Sequence, residues 1–461
     1  MNEGWGAVAA AAAGWVRDLA EATAAAGTPD RRRAARGEGL RGGRPRVAIV
    51  GTGVSGLVAA HRLHPGHELT IFEAAGRAGG HVNTVRVDVG ERTHHVDTGF
   101  IVYNERNYPE FSRLLAALGV ASQPSSMSFS VHQDDGPFEF SSAVPLGLYA
   151  RPRHLVDPAF QRMLLDYVRF PRAARRFLAG AGPDDRTAMA DLVVAQRWST
   201  HFVERLLVPL GASIWSADRQ RLLGFPARYV LEFFDNHGLL DIRDRPRWRT
   251  VQGGAARYVE ALVRPFRDRI RLSTPVVSVT RTETGVEVRP RGGEPEIFDR
   301  VVMAVHGDHA LRIIRDATPR EREILGAFPY QRNRAVLHTD RRLLPRRRRT
   351  WASWNYHLGR EPGEPVGVTY HMNRLQNLDD GVDVFVTLNR EEAIDTAKVI
   401  ARIDYEHPLY TWRSVQAQSQ FDAIDGIDRI HYCGAYWGHG FHEDGVRSGI
   451  RAAARVAAAA A

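Results

Sequence analysis

Arg46-Val47-Ala48-Ile49-Val50-Gly51-Thr52-Gly53-Val54-Ser55-Gly56, followed by Glu73 and then Arg77-Ala78-Gly79-Gly80, is the stretch that decides the fold. Val47 to Val50 is short, apolar and rich in β-branched residues, as a strand buried in a parallel sheet must be. Gly51 permits a tight turn, Gly53 lets backbone approach a pyrophosphate, and Gly56 lets the next helix lie close to the strand. That helix aims unpaired N–H groups and the positive end of its dipole at the phosphates. A second apolar run, Leu69 to Phe72, ends at Glu73, which is placed to accept a hydrogen bond from a ribose hydroxyl. Strand, turn, helix, strand and acid stand in the order of a dinucleotide-binding unit, and the whole set favours FAD over a nicotinamide cofactor.

The rest of the composition narrows the class. A chain of 461 residues with 44% hydrophobic and 25% charged residues reads as a soluble globular protein of two domains. No apolar run reaches the length of a membrane span. The lone Cys433 rules out an intrachain disulfide, a cysteine-based zinc site and an iron–sulfur cluster, and it fits a reducing cytoplasm. The formal charge is +9, yet Lys398 is the only lysine, so the arginine excess reads as a coding bias. Arg346 to Arg349 accordingly reads as a solvated loop, and no pattern supports nucleic-acid binding. The pairs His94-His95 and His306-x-Asp308 lack a third ligand at a recognisable spacing, so no metal is expected.

Residues 1–43 are alanine-rich and then basic, and read as a disordered or loosely helical extension. The alternative is a surface helix that makes peripheral contact with anionic lipid. His94 to Asn104 alternates into a loop, and Tyr108 to Leu118 has helical spacing. Residues 145–240 look helical, with breaks at Pro152, Pro171, Pro209 and Pro226 and no cofactor fingerprint. Val251-Gln252-Gly253-Gly254 leads into a helix through Leu262. Strand-like runs follow at Ile270 to Val279, Gly285 to Arg289 and Arg300 to Ala304, and Ala335 to Leu388 is strand-rich. The chain closes with Arg429 to Ala435, a loop, and a helix from about Val446. The expected fold class is α/β: a Rossmann-like FAD-binding domain (44–110, 246–310 and 425–461) interleaved with an α+β substrate domain (111–245 and 311–424).

These segments resemble the FAD-dependent amine oxidase and phytoene desaturase superfamily, from about Arg44 to Val456. Gly51-x-Gly53-x-x-Gly56, Glu73-x-x-x-Arg77-x-Gly79-Gly80 and the Gly434 segment before the last helix carry the resemblance. Within it the chain is similar to a bacterial branch of NAD/FAD-binding proteins associated with cyclopropane-fatty-acyl-phospholipid synthases. Gly80-His81, Asp97 to Asn104, Trp351 to Tyr356 and Gly438 to Gly445 carry that likeness. The resemblance implies that Gly51, Gly53, Ser55 and Gly56 hold the pyrophosphate and Glu73 the ribose. Arg77, Gly80 and His81 would meet the flavin-side phosphate or ribityl chain, and Val277 the adenine. Gly99, Phe100 and Ile101 would lie beside the flavin ring, the backbone N–H groups near Gly445 and Val446 would face its pyrimidine edge, and Gly434, with Glu443 or Asp444 in place of the missing acid, would meet the ribityl chain.

Two departures bear on chemistry. Amine oxidases usually place a lysine on a substrate-domain strand near the flavin; the matching strand, roughly Asn333 to His338, has none, and Arg334 stands nearest that place. Gly434-Ala435 lacks the acid that many relatives carry after the glycine. Cys433 reads as strand packing, not as a flavin linkage. The candidate catalytic residues are His442, Glu443, Tyr103 and Asn104, and Trp351, Trp354 and Tyr356 are candidates for an apolar channel wall. The expected activity is that of an FAD oxidoreductase accepting a hydride at flavin N5 from a fatty-acyl or related lipid substrate. The alternatives are an amine oxidase, and a flavoprotein with mainly structural FAD that partners a lipid-modifying methyltransferase. A nicotinamide-dependent reductase is disfavoured because Gly180-Ala181-Gly182 follows no strand pattern.

Overall fold

The computed structural model describes residues 43–459 apart from 90–91, 135, 144, 183, 242–244, 360–365 and 379–380. The expectations for residues 1–42 fall outside that range. Val47, Ala48 and Ile49 are fully buried, because Arg46–Val50 occupies the centre of a five-stranded parallel sheet. The spatial order is Ile270–Arg271, Glu68–Phe72, Arg46–Val50, Arg300–Met303, Ile430–Tyr432. One sheet thus gathers strands from both ends and the middle of the chain. One face is covered by helices Val54–Leu63, Pro109–Ala117, Ala256–Val263 and His442–Ala458, whose Leu57, Phe111, Leu262 and Val446 share one apolar cluster. Residues 109–117, which the expected boundary at 110 divides, therefore pack in the cofactor layer. The other face carries a three-stranded antiparallel sheet, Val276–Arg281, Val286–Pro290 and Glu296–Phe298.

The second layer system is built on a seven-stranded sheet in the order Val399–Pro408, Tyr330–His338, Phe385–Leu388, Gly367–His371, Trp354–His357, Phe129–His132, Glu139–Ser141. It is antiparallel except where Trp354–His357 runs parallel to Phe129–His132. Helices between 158 and 236 bury Phe160, Phe202, Trp215 and Phe234 in one cluster with Val131, Tyr356 and Val368 of that sheet.

Several expected boundaries move. Pro171 lies inside one continuous helix, Pro158–Gly180. A proline there removes a donor, but Phe170 and Pro171 are buried on the helix's packed face, and Phe170 sits 5.2 Å from the Trp198 ring. Pro209 does not break the chain either, since a π-helical turn, Val203–Leu207, leads directly into helix Val208–Trp215. The run Ile270 to Val279 divides between two sheets. Val399–Pro408 was not anticipated as a strand. The last helix starts at His442, four residues before Val446, because the Asp444 carboxylate accepts the Phe441 N–H at 3.0 Å and caps it there. No helix among the described residues is long and apolar enough to cross a membrane.

Candidate functional site

The glycine loop is built by close contacts. Gly51 has φ +107°, and a Cβ there would stand 2.5 Å from the Ala304 carbonyl oxygen. A Cβ on Gly56 would collide with the Gly51 carbonyl. Gly53 differs: a Cβ there would meet nothing within 4 Å, and the residue caps helix Val54–Leu63 with no side-chain hydrogen bond. An open face, free N–H groups and a helix dipole coincide at one point, which suits a dinucleotide's pyrophosphate. The Arg77 guanidinium donates to the carbonyls of Val82 (2.8 Å) and Gly80 (2.9 Å). This folds the second loop so that Gly80, at φ +59°, stacks on Gly53.

Other expected cofactor residues take more specific places. The Glu73 carboxylate accepts the N–H groups of Thr52 (2.9 Å) and Ala75 (2.8 Å) and the Thr52 hydroxyl. It therefore braces the glycine loop from the end of the second strand. Ser55 is buried and lies against the Cys433 thiol, which burial pushes up to about 12. The Ser55 hydroxyl is engaged with that thiol. Gly445 lets the last helix cross the glycine-loop helix, since a Cβ there would lie 2.5 Å from Val54 Cγ1. Its N–H donates to the Phe441 carbonyl at 3.1 Å, so the free N–H groups of this helix belong to the preceding turn and not to Gly445 or Val446. Val446 is fully buried, and the Gly434 N–H donates to Ser448 Oγ at 3.0 Å. Val277 sits at a β-bulge on the outer sheet.

His81, Gly99, Phe100 and Ile101 connect the two layers. His81 stacks on Tyr405 with ring centroids 5.1 Å apart, and the Phe100 N–H donates to the His81 carbonyl at 3.0 Å. Thr98 Oγ1 meets the Tyr405 hydroxyl at 2.9 Å, and Ile101 accepts from Thr250 Oγ1 at 2.8 Å. Beneath them the Asp97 carboxylate receives Thr84 Oγ1 (2.5 Å), the Ala255 N–H (2.9 Å) and Gln376 Nε2 (2.9 Å). Burial raises it to about 7, against those hydrogen bonds.

The four candidate catalytic residues have structural partners. His442 stacks on Phe100 at 3.7 Å and its Nε2 meets the Tyr258 hydroxyl at 2.5 Å. Burial lowers it to about 3, so the ring is neutral and accepts. The two Glu443 oxygens accept the N–H groups of Glu110 (3.1 Å) and Phe111 (3.0 Å), capping helix Pro109–Ala117. Asn104 accepts the Asn107 N–H at 2.8 Å, and Tyr103 packs edge-on to Phe111. Asp444, raised to about 6 by burial, organises the loop 438–441. The channel-wall candidates lie apart: Trp351 donates to the Pro345 carbonyl, Trp354 packs edge-on to Tyr370, and Tyr356 belongs to the helical-layer core.

Arg334 points outward, paired with Asp404 and Glu391. Strand alternation turns Asn333 inward instead. Asn333 Nδ2 donates to His407 Nδ1 at 3.0 Å, and Ser216 Oγ meets the same nitrogen at 3.1 Å. Burial lowers His407 to about 3, which keeps that nitrogen an acceptor. Where helix Ala227–Asn236 meets the loop 438–441, Tyr229 stacks on His439 (4.6 Å) and Tyr410 (4.7 Å), and Phe233 on Phe441 (4.6 Å). Burial raises both tyrosines and lowers His439 to about 4. His439 Nε2 is buried without a hydrogen-bond partner. Tyr405, His407 and His439 were not singled out as site residues from the sequence. The alternation Ile403-Arg402, Tyr405-Asp404, His407-Glu406 is the signal that would have found the first two.

Residues 54–346 match the family model for flavin-containing amine oxidoreductases. The chain is 28% identical over 305 residues to the flavin-dependent L-tryptophan oxidase RebO of Lentzea aerocolonigenes, a match over 59% of this chain and 57% of that protein. It thus spans little more than half of that curated relative. Among solved structures, cyclohexylamine oxidase from Brevibacterium oxydans superposes with TM-score 0.67 at 17% identity, over 91% of this chain and all of that one. The fatty acid isomerase of P. acnes gives 0.63 at 16%, over 89% and 98%. At such identities the likeness shows the fold. Together with the glycine cradle, these matches establish that the chain belongs to the flavin-containing amine oxidoreductase family, whose cofactor is FAD.

Proposed function

We propose that the chain is an FAD-dependent oxidoreductase that removes a hydride and a proton from an apolar substrate, a fatty-acyl or related lipid chain. FAD, when bound, supplies the two-electron acceptor at N5. The observation that carries the reading is the unpartnered His439 Nε2 in a wall of Tyr229, Phe233, Tyr410 and Phe441. Burial holds the ring side chains of this wall uncharged, and the Asp444 carboxylate behind them accepts the Phe441 N–H, which favours an apolar chain along the wall. His439, neutral and without another partner, accepts the substrate proton. Asn333 and Ser216 fix the His407 ring. The lipid class, and a lipid-modifying methyltransferase as partner, come from the branch resemblance. Exposed apolar side chains in one segment of the chain support delivery from an anionic lipid surface: Leu146, Leu155, Val156, Leu165 and Val168 are 71, 60, 81, 50 and 56% exposed, and seven arginines lie within residues 143–180.

The similarity to an L-tryptophan oxidase favours amine oxidation as the second reading. Anaerobic mixing of the flavoprotein with phospholipids and fatty acids on one side and an amine and amino-acid panel on the other, followed at the flavin absorbance, separates them. Bleaching by lipid that slows at least tenfold in His439→Gln supports the proposal. Bleaching by amines alone ends it.

A further inference from the structure

His306 and His309 meet Glu406 at the seam between the two layers, although Glu406 is far from the two histidines in the chain. His306 caps helix Gly307–Ile313, which follows the cofactor-sheet strand Arg300–Met303, and His309 lies one turn into that helix. Glu406 stands on Val399–Pro408, the edge strand of the substrate sheet. His306 Nδ1 lies 3.5 Å and His309 Nε2 3.2 Å from the same oxygen, Glu406 Oε2. All three ligand atoms fall within 4.8 Å of one another. Atoms bound at about 2.0–2.1 Å to a tetrahedral ion are separated by roughly 3.3 Å, and the two observed distances bracket that edge.

The surroundings leave the three atoms available. His306 Nδ1 is buried and has no hydrogen-bond partner, and Asp308 Oδ1 beside it is likewise unsatisfied. Arg332 approaches the other Glu406 oxygen, Oε1, at 3.4 Å, which leaves Oε2 facing the histidines. The His306 ring is held by stacking on Tyr330 at 4.2 Å, and the Tyr330 hydroxyl takes the Gly307 N–H at 3.3 Å. Another triad, His132, Asp134 and His357, meets the same spacing criterion. There the carboxylate already receives both imidazoles through one oxygen and the Arg390 guanidinium through the other. Its His357 Nδ1 is hydrogen-bonded to Asp134 at 2.9 Å and its arginine side chain is only 20% exposed, whereas the Arg332 side chain beside Glu406 is 89% exposed and can move away from a bound cation.

The geometry points to a divalent transition-metal site of the zinc class, with His306 Nδ1, His309 Nε2 and Glu406 Oε2 as ligands and Asp308 or water completing the tetrahedron. Two imidazoles and one carboxylate suit zinc, and their spacing is too tight for the larger oxygen cages that calcium takes. The ion clamps a helix of the FAD layer to the edge strand that carries Tyr405 and His407.

Zinc titration of the full-length, chelator-treated flavoprotein, followed by calorimetry, tests it. The expected result is one zinc ion per chain, with affinity at least about tenfold weaker in both His309→Ala and Glu406→Gln, and unchanged in His95→Ala, a surface-histidine control. Flavin absorbance monitors folding, because both seam variants are expected to keep FAD. Absence of zinc binding in the parent protein, or zinc binding that survives both seam substitutions, overturns the proposal.

Discussion

Glu443 offers the sharpest test of how the loop before the last helix is used. Helix Pro109–Ala117 starts at a proline, which has no N–H, after Tyr108, which provides no side-chain cap. The first free donors, Glu110 and Phe111, both spend their N–H groups on Glu443, at 3.1 and 3.0 Å. A carboxylate at a helix N-terminus contributes about 0.3–1 kcal/mol through the dipole, and each hydrogen bond to a charged group about 1.5–3 kcal/mol. Since Phe111 is fully buried, water is a poor replacement there. Glu443→Ala is therefore expected to cost on the order of 2–4 kcal/mol, and Glu443→Gln, which keeps one acceptor, about half as much. Urea unfolding of the flavoprotein measures the cost, and anaerobic flavin reduction by the substrate found in the bleaching screen measures the chemistry. The capping role requires the two variants to lose stability in that order, while the reduction rate of folded Glu443→Gln stays within a few-fold of the parent. A Glu443→Gln protein as stable as the parent but reduced a hundredfold more slowly would show that the carboxylate acts in the reaction and that the capping argument is mistaken.

The first two glycines of the loop separate folding from cofactor binding. Gly51→Ala forces a side chain at φ +107° against the Ala304 carbonyl and is expected to lower stability by about 1–3 kcal/mol. Gly53→Ala meets open space and should fold normally while losing FAD affinity about tenfold or more, read by flavin fluorescence during dialysis. Asp97, raised to about 7 by burial, is protonated in the folded chain over a range where the unfolded chain is ionised. Its contribution is complete below the unfolded pKa near 3.8 and is lost as pH rises through about 7. Relative to Asp97→Asn, the parent is expected to lose on the order of 3 kcal/mol between pH 5 and 8 in urea melts, and parallel pH profiles would contradict this. Cys433, pushed up to about 12 and fully buried, should resist a disulfide thiol reagent at pH 8 until the protein is unfolded, and prompt labelling of native protein would contradict the packing described.

What the sequence disclosed, and what it hid, follows from how each feature is encoded. The glycine loop was legible because Gly51 and Gly56 answer to backbone collisions that no other residue avoids, and because the strand leading into it is apolar and buried from Val47 to Val50. Strand Val399–Pro408 was hidden because it is a sheet edge, where outward Arg402, Asp404 and Glu406 dilute the apolar signal; the period-2 alternation was present but carried by charges. That strand supplies Tyr405, His407 and Glu406, so missing it concealed the packing of His81, the partner of Asn333 and the third ligand of the seam triad together. The roles of His442 and Glu443 were hidden for a different reason. A glycine-rich loop before a helix signals proximity to a cofactor, but whether a carboxylate there faces the reaction or a neighbouring helix depends on where an uncapped N-terminus from elsewhere in the chain arrives. Pro109 follows Tyr108 without a capping side chain, and that local deficit is visible in the sequence. A helix beginning with proline and lacking a cap is a request for an acceptor from elsewhere in the chain, and here Glu443 answers it. His439, by contrast, meets no such request through its ring: its Nε2 is buried without a hydrogen-bond partner.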